Sequence, residues 1–156
     1  MKFYKYSFNT LNYYIFATVF GSGLFPICPG TITTIIAIIL WLIIYFSCSI
    51  WVIWLGLLFL VFFGIVICEC SVKYIKIYDH KSIVLDEFIG MWLIMTIISK
   101  VEVKLLITEF ILFRYFDIIK PWPINICDNK LKGGFGIVFD DLIAAIFTIV
   151  FMKILL

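Results

Sequence analysis

Two adjacent acid pairs, Asp86–Glu87 and Asp140–Asp141, stand out as residues able to do chemistry, and each leads an apolar run. Neighbouring residues lie about 100° apart on a helix, so one acid of a pair can face a bundle interior while the other faces a neighbour or water. Gly90 follows Asp86 at i+4, and Ala144 and Ala145 follow Asp140 and Asp141 at the same spacing. These small residues leave surfaces that another helix can approach closely. Asp117 adds a fifth carboxylate on a third apolar segment. Five like charges cannot share a low-dielectric site unless something neutralises them. A hard divalent cation does so through oxygen ligands, and magnesium suits the task when a substrate phosphate completes its shell. Simpler roles stand beside this one. Acids at a helix start are favoured by the dipole, and Asp117 has Arg114 and Lys120 at i−3 and i+3 as ion-pair partners.

Arg114 is the only arginine in the chain. Its fixed fork of donors matches phosphate, and a permanent charge inside an apolar segment is costly without such a use. Lys120 precedes Pro121-Trp122-Pro123, which ends a helix sharply and holds the lysine at a membrane surface. Lys132-Gly133-Gly134-Phe135-Gly136 leads into the last apolar run. Glycines there allow close approach of the backbone to an anion, and a helix start supplies free N–H donors. The G-K-[ST] ending of a Walker A loop is absent. Gly21 to Thr31 forms a second loop of the same kind, with Thr31 in the N-cap role.

Several phosphatase chemistries are excluded. A histidine nucleophile with a second histidine as acid needs two, and His80 is the sole histidine. Neither Cys28 nor Cys127 opens a C-x5-R loop, and no D-x-D-x-[TV] pattern occurs. The five cysteines include no C-x-x-C pair, so they read as small apolar residues rather than zinc ligands.

The elements that must position these residues are membrane helices. The chain is 65% hydrophobic and 14% charged, with a mean hydropathy of +1.19, against roughly 45–50% apolar residues in soluble domains. This composition excludes a disordered chain and a nucleic-acid-coating protein. No Asp, Glu, Lys or Arg lies between Lys5 and Glu69. A crossing helix needs about 17–25 mainly apolar residues. The reading is an all-α, polytopic membrane helix bundle, one domain over residues 1–156, with about five spans. These are Thr31–Ser47, Ile50–Cys68, Asp86–Ser99, Leu105–Ile119 and Ile137–Leu156, while Tyr13–Phe20 is too short to cross and suits an interfacial or re-entrant helix. The N-terminal lysines, with no small-residue cleavage pattern after them, read as a retained cytoplasmic anchor. With Lys2 and Lys5 cytoplasmic, nine basic residues fall inside (Lys2, Lys5, Lys73, Lys76, Lys81, Arg114, Lys120, Lys130, Lys132) and three outside (Lys100, Lys104, Lys153). The polar stretches 21–31, 79–90, 114–123 and 132–141 then share the cytoplasmic face, which is where a single site belongs. Acids, bases and amide-rich loops at that surface suggest phosphoryl chemistry on a lipid.

The linked motifs Gly21-Ser22-Gly23…Pro26…Pro29-Gly30-Thr31, Ile83-Val84…Asp86-Glu87…Gly90-Met91-Trp92, Phe113-Arg114…Asp117…Lys120-Pro121-Trp122-Pro123 and Gly133-Gly134…Gly136-Ile137…Asp140-Asp141 resemble those of bacterial phosphatidylglycerophosphatase A, in order and over nearly the whole chain. The resemblance implies a magnesium-dependent, multi-pass inner-membrane enzyme that hydrolyses phosphatidylglycerophosphate to phosphatidylglycerol and phosphate. It implies Asp86, Glu87, Asp117, Asp140 and Asp141 as metal or catalytic acids, with Asp86, Glu87, Asp140 and Asp141 holding the metal. Arg114 and Lys120 become phosphate contacts, and the Asp79–His80 pair fits the family pattern. Lys81 and Glu109 depart from it. The expected mechanism is metal-assisted phosphomonoester hydrolysis, with a free carboxylate or His80 as base and Lys132, Gly133 and Gly134 touching substrate. An aspartyl-phosphate route stays open. The alternative is a cation or proton transporter, which requires acids spread through the depth of the bundle; only Glu109 lies deeper.

Overall fold

The computed structural model describes residues 8–77, 80–122, 124–126 and 131–156, with side chains described from residue 11 onward. Lys2, Lys5, Asp79, Pro123, Cys127 and Lys130, which entered the sequence reading, lie outside them. The chain is all-helical among the described residues: α1 (Phe8–Ala17), a 3-10 turn at Ser22–Leu24, α2 (Pro29–Ser47), α3 (Ile50–Ile75), α4 (Leu85–Ile98), α5 (Val103–Ile119) and α6 (Gly133–Leu155).

Local chemistry sets the boundaries. Pro29 has no N–H to satisfy and a φ suited to a helix, so α2 begins two residues before the expected cap. Cys28, not Thr31, takes the N-cap position. Cys48-Ser49 turns the chain between α2 and α3. Lys120 ends α5 in the left-handed region at φ 44°, and Pro121 prevents the helix from continuing. The last helix starts at Gly133 rather than at the expected Ile137. Asp140 and Asp141 therefore lie about two turns inside it, too far from its N-terminus for the dipole to account for them.

Helix α4 is the centre of the bundle and packs against α2, α3, α5 and α6. It is buried on all sides, from Leu85 and Asp86 through Ile89, Met91, Ile94 and Met95. Two indoles tie it to α2: Trp41 Nε1 donates to Thr96 Oγ1 at 3.0 Å, and Trp92 Nε1 donates to the Ala37 carbonyl at 2.9 Å. Gly90 does what its spacing suggested, since a Cβ there would collide with the Phe113 ring of α5 beside the Asp141 carbonyl of α6. By contrast, α3 leaves Trp51, Leu55, Leu58 and Phe62 exposed, as a lipid-facing helix does.

Among the described residues three helices, α2, α3 and α6, are long and apolar enough to cross a membrane. At 14 residues α4 rises only about 21 Å, less than the hydrocarbon thickness of roughly 30 Å. The 17 residues of α5 include Lys104, Glu109, Arg114 and Asp117. In place of the expected Tyr13–Phe20 helix, α1 closes at Ala17 and packs on α3, and Val19 and Phe20 turn the chain with φ of 46° and 53°.

Candidate active site

At the end of the bundle where α4 and α2 begin and α5 stops, a cavity of about 310 Å³ is lined by Cys28 to Thr31, Lys81, Ile83, Asp86, Glu87, Arg114, Asp117, Ile118, Lys120, Asp140 and Asp141. Four helices thus build the cleft, and three of them deliver charged groups. The first turn of α4 brings Asp86 and Glu87, and the last turns of α5 bring Arg114, Asp117 and then Lys120 at its C-cap. Asp140 and Asp141 come from the third turn of α6, and the opening turn of α2 closes the wall. A larger cavity of about 590 Å³ touches α4 through Leu85 and Phe88, on the face opposite the acids. Its lining holds neither acid nor base, so the smaller cavity is the chemical one.

Two of the cleft's bases, Arg114 and Lys120, are held by named acids. Arg114 Nη1 lies 3.0 Å from Glu87 Oε2 and 2.8 Å from Asp117 Oδ2, so it bridges α4 and its own helix. Lys120 Nζ reaches across to Asp140 Oδ2 on α6 at 2.5 Å. The i−3 pairing of Asp117 with Arg114 was legible in the sequence, whereas Lys120 chooses Asp140 over Asp117. Asp86 and Asp141 are different. They are 8% and 3% exposed, and Asp86 Oδ1 and Asp141 Oδ2 have no hydrogen-bond partner among the described residues. Buried carboxylate oxygens left unmatched are expensive, and a hard cation is the partner they suit. Among the described residues no group of three His, Cys, Asp or Glu side chains is placed to hold a metal ion by itself. Two carboxylates with water and substrate oxygens completing the shell is the usual way magnesium is held, so the donor set fits that ion.

Two expected participants are elsewhere. His80 does not line the cavity. Its Nδ1 accepts from the Ser82 N–H at 3.2 Å and lies 2.7 Å from Ser82 Oγ, which in turn contacts Tyr14 OH at 3.0 Å. The histidine thus pins the loop before α4 to α1 instead of facing the acids. Lys132, Gly133 and Gly134 are also outside the cavity lining. The Gly134 N–H donates to Glu69 Oε2 of α3 at 2.7 Å, and Glu69 is itself paired with Lys73 at 3.0 Å. A side chain at Gly134 would strike the Ile65 carbonyl. These glycines serve the close approach of α6 to α3, and the start of α6 is already capped by a carboxylate of the protein. The sequence placed Glu69 at the end of the uncharged stretch, but a contact spanning 65 residues left no local signal. Lys81 lines the cavity, and so do Cys28, Pro29, Gly30 and Thr31. Glu109 is 1% exposed, with no partner for either oxygen among the described residues, and lies two turns along α5 from Asp117, away from the cavity.

Fold and site together define a helical membrane protein with a cleft of paired and unpaired acids at one end of its bundle. The profile of the family described as Phosphatidylglycerophosphatase A matches residues 15–156, and the chain belongs to that family. It is 37% identical over 139 residues to Phosphatidylglycerophosphatase A of Haemophilus influenzae (strain ATCC 51907 / DSM 11121 / KW20 / Rd), covering 88% of this chain and 84% of the relative. To the protein of the same name from Escherichia coli (strain K12) it is 36% identical over 137 residues, 86% and 77% of the two chains. A Bacteroides thetaiotaomicron protein with the provisional name phosphatidylinositol-3-phosphatase is 29% identical over 145 residues, 90% and 91% of the two. No solved structure matches the chain.

Proposed function

We propose that the protein is a magnesium-dependent phosphatidylglycerophosphatase, hydrolysing the terminal phosphomonoester of phosphatidylglycerophosphate at the cytoplasmic face of a bacterial inner membrane. The observation that carries this reading is the division of labour in one cleft, where Asp86 and Asp141 keep unpartnered oxygens while Arg114 and Lys120 are already held by other acids. Five carboxylates (Asp86, Glu87, Asp117, Asp140, Asp141) face three bases (Lys81, Arg114, Lys120), so the formal balance of the lining is 3 − 5 = −2. One divalent cation cancels that excess and allows a phosphate to enter.

Asp86 and Asp141 would hold the magnesium, with Glu87 and Asp140 steadying the bases beside it. Bound there, the ion supplies electrophilic assistance to a phosphoryl oxygen and a water acidified enough to attack. Arg114, fixed by Glu87 and Asp117, and Lys120, fixed by Asp140, face the charge that builds on the phosphoryl group. Fixed positive groups of this kind supply most of the catalysis in phosphoryl transfer. A cleft carboxylate, not His80, takes the proton from the attacking water.

The five-crossing topology belongs to the same proposal. α4 is shielded by four neighbours and need not reach either headgroup layer by itself; α5 carries Arg114 and Asp117 to the cleft end. Acids gathered at one end favour an enzyme over a transporter pathway. The test is phosphate release from phosphatidylglycerophosphate by the detergent-purified protein, with magnesium and then with excess chelator. Release that requires magnesium is expected. Equal or faster release from phosphatidylinositol 3-phosphate would replace the headgroup assignment with the one in the Bacteroides name. No release from either lipid by folded protein would overturn the phosphatase reading.

A further inference from the structure

The cleft contains two kinds of unmatched polar group that do not match each other. The acceptors are Asp86 Oδ1 and Asp141 Oδ2, on side chains more than nine-tenths buried. The donors are Arg114 Nε, buried without a hydrogen-bond partner among the described residues, and the first backbone amides of α2. In that turn Pro29 has no N–H, no side chain caps the helix, and the Ile32 N–H is taken by the Cys28 carbonyl at 3.3 Å. The Gly30 and Thr31 N–H groups are left without an acceptor among the described residues, and both residues line the cleft. A cation alone would satisfy the acceptors and leave the donors. A simple anion would do the reverse. A phosphate monoester accompanied by a divalent cation satisfies both sets, with oxygens for the amides and a metal for the carboxylates.

We propose that the N-terminus of α2 is the phosphate-binding element, the Gly30 and Thr31 N–H groups donating to non-bridging phosphoryl oxygens beside Arg114. This rests on the phosphomonoesterase reading above and deepens it by moving the anion cradle from the last helix to the second. α2 runs for 19 residues, and its dipole places about half a positive charge at this end. Its nearest acid is already engaged. The Glu87 carboxylate packs against the Cα of Gly30, where any side chain would collide with it, and its charge is taken up by Arg114 at 3.0 Å. The glycine therefore has a physical duty, letting a carboxylate and a helix start share one corner without blocking the amides. At the start of α6 the Gly134 N–H is already taken by Glu69, and neither Gly133 nor Gly134 lines the cleft.

Amide NMR of the intact protein in detergent, titrated with inorganic phosphate in the presence of magnesium, tests this. Pro29–Gly30 is the only Pro-Gly pair and Gly133–Gly134 the only Gly-Gly pair in the chain. Carbonyl-13C proline or glycine combined with 15N-glycine thus assigns the two amides without mutation. The expected result is a saturable downfield shift of the Gly30 amide proton, at the concentration where phosphate inhibits turnover, with Gly134 unmoved. A shift at Gly134 with Gly30 still would return the anion to α6 and overturn the proposal. So would inhibition without movement of either amide, which would leave the phosphate to side chains alone, and so would the absence of any phosphate effect. Failure of the function reading is separate. It would show as no release from phosphatidylglycerophosphate, whatever Gly30 does on binding free phosphate.

Discussion

Replacing Asp86 with Asn separates a metal-binding acid from a structural one, because the two roles predict opposite changes in stability. Asp86 is 8% exposed and its Oδ1 has no hydrogen-bond partner among the described residues, so the substitution breaks none of their bonds at that oxygen. It also lowers the formal excess in the cleft from −2 to −1. Without magnesium the variant should be as stable as the parent or more so, by about 1 kcal/mol, or roughly 2–4 °C in Tm for a chain of this size. With magnesium the order reverses. An ion at 100 times its Kd stabilises the parent by about 2.7 kcal/mol, and Asp86→Asn should lose most of that gain. Turnover should fall by about 10³-fold, roughly 4 kcal/mol of transition-state stabilisation. The assays are phosphate release and thermal unfolding in detergent, each with magnesium and with chelator. A folded variant that keeps turnover within tenfold, or one that retains the full magnesium stabilisation, would refute the assignment of Asp86 to the metal.

Lys120→Met should cost about 3 kcal/mol, because it strips the lysine from a carboxylate that is 7% exposed at its side chain. Adding Asp140→Asn should restore most of that stability but none of the activity, and a double-mutant cycle on Tm and kcat reads both. His80→Ala should retain kcat within about tenfold while losing about 1 kcal/mol, since its ring nitrogen bonds Ser82 rather than lining the cleft. A hundredfold loss of kcat in folded protein would restore it as a base. Glu109→Gln should leave phosphate release unchanged and Tm equal or higher, because it removes a buried charge with no partner among the described residues. A greater than tenfold fall in turnover would give Glu109 a part in the reaction that the cleft geometry does not.

Membrane character, the helical class and the identity of the five acids were all decided by sequence. Each follows from a local property: an uncharged run of crossing length, a pair of adjacent acids, or a small residue one turn later. The Arg114–Asp117 pair was legible for the same reason, since i+3 and i+4 spacings are geometry that a helix carries wherever it goes; Gly90 marked a face open to another helix, but that Phe113 of α5 fills it was not legible. What the tertiary structure alone decided is which acid meets which base across helices. Lys120 has Asp117 three residues away, yet it bonds Asp140 on another helix. Glu69, 65 residues from Gly134, occupies the helix start that the glycine-rich loop was expected to offer to substrate. His80, the one side chain whose type most invited a catalytic role, bonds Ser82 two residues on, and it is the Tyr14 contact to Ser82 that ties this loop to α1, outside the cleft lining. Charge pairing and access to a cleft depend on distances between elements, and those distances come from how α4 seats among its four neighbours, which no single stretch of the chain encodes.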